Sequence, residues 1–126
     1  MSHNLWPDFD VTEAIKSPKL IVEQLGAGLD EKTNSLVQFS AASTSIKNDK
    51  VQATFSLYVP RLGYGYPFLK IAFPVDKFYP VMIDADKMEA VNARDENELM
   101  GALARVFKAA STIETIQRLM SLGNNL

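Results

Sequence analysis

Cysteine is absent from the 126 residues, and histidine occurs once, at His3. The first absence excludes thiol nucleophiles, thiolate metal centres, iron–sulfur clusters and disulfides together. The second excludes a serine–histidine–aspartate triad, or a metal centre of several histidines, within this chain. His3 itself lies in a polar terminal stretch of the kind that is commonly poorly ordered. Charge of one sign is lacking too. There are 13 Lys and Arg against 15 Asp and Glu, a formal net charge of −2, with no dense basic run. Clustered Lys and Arg supply much of the affinity of nucleic-acid binders, so nucleic acid is disfavoured as a partner. No stretch approaches the roughly 18 uninterrupted apolar residues of a spanning helix, and Met1–Asp8 lacks the basic and apolar regions of a signal peptide. The expectation is a soluble, cytoplasmic protein with no membrane partner.

What is present is enough apolar material for a packed core. Hydrophobic residues make up 47% and aromatics 10% of the chain, which argues against wholesale disorder. The length suits one domain, and a chain of this size needs no disulfide or metal to hold it together. Residues 1–9 read as a flexible tail carrying Trp6 and Phe9, and 10–126 as a single domain.

Asp10 with Glu13 suggests a helix start. A second start follows at Ser17, with Pro18 in the first helical position. Leu20, Ile21, Val22, Leu25 and Leu29 then give a helical apolar stripe, weakened at its end by Gly26 and Gly28. A strand begins at Leu36–Ala41 and fades into Ala42–Ser45, and Lys47–Lys50 is a turn by composition. The next strand is the clearest in the chain. Val51, Ala53, Phe55, Leu57 and Val59 alternate with Gln52, Thr54, Ser56 and Tyr58, the period of a sheet with one buried face. Pro67 opens a third strand, Phe68–Phe73, and Pro74 closes it. Val81–Asp84 makes a short fourth. Short links favour an antiparallel meander.

The last third is helical. Asp95 and Glu98 form a capping pattern before Leu99, Leu103, Val106, Phe107 and Ala110, all on one face. Ser111 with Glu114 predicts a capping box that restarts a helix bearing Ile113, Ile116, Leu119 and Met120, with Gly123 as its stop. The fold class is therefore α+β: an N-terminal helix, a four-stranded antiparallel meander, and two C-terminal helices packed on one face.

Candidate sites are few. The aromatic hinge between strands, Arg61-Leu62-Gly63-Tyr64-Gly65-Tyr66-Pro67, places tyrosines on glycine-flanked backbone. Arg61, Tyr64, Tyr66 and Phe68, with Lys70, interleave rings and cations in the way of a protein-interface hot spot. Single-stranded nucleic acid surfaces use a similar pattern. The plain alternative is that these rings cover the end of the sheet. Gly63-Tyr64-Gly65 lacks the third glycine, the Lys-Ser or Lys-Thr and the helix start of a phosphate loop. Asp84-Ala85-Asp86 could hold a hard cation through oxygen ligands, but the spacing is not that of a calcium loop. Asp95, Glu96 and Glu98 are accounted for by a helix N-terminus. Ser43, Thr44 and Ser45 have hydroxyls but no base. No cofactor and no metal is implied.

The leading expectation is thus a non-catalytic protein-interaction or adaptor module that self-associates or captures a protein. Its contact surface centres on Arg61, Tyr64, Tyr66 and Phe68. The alternative is a small metal-dependent enzyme, or enzyme subunit, using Asp84 and Asp86. A weaker one is a nucleic-acid accessory protein.

Overall fold

The computed structural model describes residues 4–10 and 15–125. The helix start expected at Asp10 and Glu13 falls largely outside them. Helix α1, Pro18–Gly26, begins as its sequence dictates: the Ser17 hydroxyl accepts from the Leu20 N–H at 3.2 Å, and Pro18 occupies the first turn. It stops at Gly26 rather than Leu29, and a single turn, α2, Leu29–Lys32, follows. Its buried side is Pro18, Ile21, Val22 and Gly26. Leu20 and Leu25 of the expected stripe remain substantially exposed.

Five strands, not four, form one antiparallel sheet in the order β1-β2-β3-β4-β5. They are β1 Gln38–Lys47, β2 Lys50–Val59, β3 Tyr64–Pro74, β4 Val81–Ala85 and β5 Val91–Ala93. Strand β1 runs through Ala42–Ser45 without fading. It turns into β2 at Asn48 and Asp49, both at positive φ (54° and 60°). A two-residue hairpin turn matched to strand twist requires that conformation, and Asn and Asp tolerate it. Strand β5 escapes sequence detection because three residues inside an acidic stretch carry too little pattern.

The alternation in β2 holds over most of the strand, but Val51 is only half-buried and Ser56, at the bulge, is buried. Ala53, Phe55, Leu57 and Val59 are buried, facing Ile71, Leu69, Tyr66 and Tyr64 of β3. Val81, Ile83 and Ala85 continue the same face through β4. Helix α3, Glu96–Lys108, and helix α4, Ala110–Asn124, complete the chain. Helices α1, α3 and α4 supply Ile21, Val22, Leu99, Leu103, Val106 and Leu119 to one hydrophobic core with the sheet.

Asp95 caps α3 as expected, accepting from the Glu98 N–H at 2.8 Å. The Ser111 capping box does not form. Helix α4 has already started at Ala110, after a break at Ala109 where the backbone is extended. Its buried side is Thr112, Thr115, Leu119 and Gly123, while Ile113 is exposed. The two threonines tolerate burial because their hydroxyls donate to backbone carbonyls, Thr112 to Val106 at 2.6 Å and Thr115 to Ser111 at 2.8 Å. Gly123 is no stop signal. It lets the last turn of α4 lie on β2, where a Cβ would come within 3.1 Å of Val59.

Candidate functional site

The expected hinge is not a hinge. Only Pro60–Leu62 is a helical turn, ended by Gly63 in the left-handed conformation (φ 59°) that glycine accepts without strain. From Tyr64 onward the chain is strand β3. A bulge then interrupts it: Phe55 of β2 faces Leu69 while Ser56 faces Pro67, leaving Phe68 as the extra residue. A bulge of this kind puts two residues against one and re-aims a side chain. Its result here is that consecutive residues, Phe68 and Leu69, are both buried.

The four residues of the expected contact surface go to different tasks. Arg61 donates through Nη1 to the Gly123 carbonyl at 3.2 Å, tying the β2–β3 turn to the end of α4. Tyr64 is 46% exposed. The Tyr66 hydroxyl donates to Asp86 Oδ2 at 2.6 Å. That bond, burial and the negative charge of Asp86 push the phenol above its ordinary value, because each disfavours a tyrosinate there. Phe68 is in the core and lines two clefts, one on either side of it.

The first cleft, of about 280 Å³, lies between the end of α1, α2, the sheet and the α3–α4 layer. Phe39 is its central ring. It stacks on Phe55 at 5.3 Å and meets Phe68 and Phe107 edge-on at 6.5 and 5.6 Å. Leu25, Leu29, Leu57 and Ile116 complete the apolar walls. Gly26 permits this arrangement, since a Cβ there would collide with the Phe39 ring. Lys32 is the one ionisable residue of the lining, and the Thr112 hydroxyl is committed to Val106.

The second cleft, of about 340 Å³, brings Asp84 and Asp86 together with Lys70, Lys87 and Thr54. Asp84 is paired in register with Lys70 on the exposed face of the sheet. The Asp86 N–H donates to the Phe68 carbonyl at 2.8 Å, which anchors the carboxylate beside the bulge. Among the described residues no group of three or more His, Asp or Glu is placed to hold a metal ion. Nor, among them, is any helix long and apolar enough to cross a membrane.

No known protein family, curated protein or solved structure matches the chain. The first cleft escapes a reading of the sequence because its walls come from seven separate elements. The nearest signal is the alternation of Leu25 and Leu29 with Gly26 and Gly28, small residues where a helix end approaches a ring.

Proposed function

We propose that this chain is a non-catalytic protein-interaction module, an adaptor that takes a bulky apolar side chain of a partner polypeptide into the first cleft. The observation that carries this reading is the chemistry of the lining. Aromatic and aliphatic walls close on a space just below the roughly 300–1,000 Å³ of typical small-molecule sites. Such a space suits one large side chain better than an extended ligand. Aromatic anchors seated in desolvated pockets are what dominate binding at protein interfaces. Lys32 at this lining favours an acidic neighbour beside the anchor. Of the expected contact residues, Phe68 belongs to the cleft wall and Tyr64 is exposed on β3. A chain without disulfides is at home in the cytoplasm, and that is where the proposal puts it.

The enzyme reading has one observation in its favour, that Asp84 and Asp86 share a cleft. Against it, two lysines balance their charge there, and Asp86 already accepts from Tyr66.

The test is titration calorimetry with short peptides that carry one Trp or Phe next to Asp, against the parent and an Ile116→Asp variant. The proposal expects saturable binding by the parent and at least a tenfold loss in the variant, with circular dichroism confirming that the variant folds. Peptides that bind neither protein, or bind both equally, overturn it.

A further inference from the structure

Three of the most exposed large apolar side chains among the described residues lie within five positions of one another. Leu5 is 94% exposed, Trp6 77% and Phe9 73%. Isolated surface apolar residues need no explanation, but a cluster of this density marks a contact. Pro7 restricts its own backbone and that of Trp6, so the arm gives up less freedom on docking than a chain without proline. Asp8 sits between the two rings, and Lys32 is the one ionisable residue of the first cleft. The arm has the anchor-plus-acid chemistry that this cleft calls for.

We infer that the arm Leu5–Phe9 of one copy of this chain docks in the first cleft of a second copy, and that the exchange is mutual. The inference rests on the reading of the cleft given above. The exposure of the arm favours a second copy over the arm's own body. The chain enters α1 at Pro18, whereas the cleft lies at the opposite end of that helix, at Leu25 and Gly26. The nine-residue helix is about 13 Å long, and docking on its own body requires the arm to double back along it. In the structure the arm does not pack on its own body. Residues 10–17 between arm and helix can span up to roughly 26 Å when extended, enough to reach across to a neighbour. The symmetry closes, because each copy offers one arm and one cleft. The area also suffices. Aromatic side chains bury roughly 150–250 Å² each. Trp6 and Phe9 of both arms, one ring seated in each cleft and the other laid beside it, therefore reach with the surfaces they cover on the order of the 1,200 Å² at which specific interfaces begin.

Trp6 is the only tryptophan, so its fluorescence reports on the arm alone in the full chain. The expected result is an emission maximum that moves to shorter wavelength, with acrylamide quenching reduced about threefold, as protein concentration rises. Sedimentation of the same samples should show dimer forming over the same range. A Trp6→Ser variant, altered at an exposed site, should fold normally yet stay monomeric where the parent is dimeric. Asp8→Lys should raise the dimer dissociation constant about tenfold. A solvent-exposed Trp6 at every concentration overturns the inference. So does a blue-shifted Trp6 in a chain that remains monomeric, because the arm then occupies its own cleft. If the peptides bind while Trp6 stays exposed, the cleft reading stands and only the arm exchange falls.

Discussion

The two clefts that meet at Phe68 differ in almost everything except that ring. On one side, Phe39, Phe107 and Ile116 make an apolar wall with Lys32 as its single ionisable residue. On the other, Lys70, Lys87, Asp84 and Asp86 line a cleft whose charges balance. Neighbouring residues of one strand reach opposite sides. Phe55 stacks on Phe39, a wall of the apolar cleft, whereas Thr54 lines the charged one. The lesson is that a strand's period of two sorts one stretch of sequence into two environments. The apolar side then carries most of the stability, and the charged side carries little of it.

The largest expected break in that contrast is at Phe55. Truncating it to Ala removes a fully buried ring under the apolar cleft, and should cost about 3–5 kcal/mol in urea denaturation. Thr54→Ala should stay within about 0.5 kcal/mol. Comparable losses at the two sites would mean that the two faces of the sheet do not differ as described.

The glycines near the apolar cleft sharpen the contrast at smaller scale. Gly26→Ala places a methyl group against the Phe39 ring and should cost about 1–2 kcal/mol, the overpacking penalty exceeding the gain in helix propensity. Gly28 has open space around its Cα and a right-handed helical backbone (φ −78°). Gly28→Ala should therefore stabilise by about 0.5 kcal/mol through the unfolded chain. Opposite signs in thermal melting are the expected result.

On the charged side, Tyr66→Phe removes the hydroxyl bonded to Asp86 and should cost about 1 kcal/mol at neutral pH. The pH dependence adds a check. The folded state holds the Tyr66 pKa above its ordinary value of 10.0, so the hydroxyl's contribution is complete below that pH. It is lost as pH rises through the folded value, because the unfolded chain releases the proton first. The variant should lack that alkaline loss.

The smallest effect expected is at Tyr79. Its hydroxyl is buried with no hydrogen-bond partner among the described residues, a condition that carries a desolvation penalty. Tyr79→Phe should leave the melting temperature unchanged or raise it by a few degrees. A clear fall would reveal a partner for that oxygen.

Much of the fold was legible in the residues. The core side of β2 from Ala53 to Val59, the Ser17 and Asp95 caps and the Asn48-Asp49 turn each depend on neighbours within a few positions, and each appears as read. The misreadings share one cause. Ile113 read as part of the apolar stripe of α4, but it is exposed, and Thr112 and Thr115 are buried instead because backbone carbonyls accept their hydroxyl protons. Gly123 read as a terminator, but it is small because β2 lies against it. Tyr64 and Tyr66 read as residues of a flexible connection, but pairing with Val59 and Leu57 makes them part of a strand. For the candidate site, Phe68 was in view from the start and Phe39 was not singled out, since a lone ring in a strand carries no signal of what will surround it.

By itself, then, the sequence determined the class of the molecule, the side of β2 that faces the core, the starts of α1 and α3, and the exclusion of cysteine and multi-histidine chemistry. These follow from local periodicity, backbone preference and composition, which act over a turn or two of chain. Only the tertiary structure decided that β3 bulges at Phe68, that α1 ends against Phe39, and that rings from β1, β3 and α3 enclose a cleft. Those outcomes depend on packing between segments tens of residues apart, where a single Cβ or a one-residue shift in register changes which groups meet.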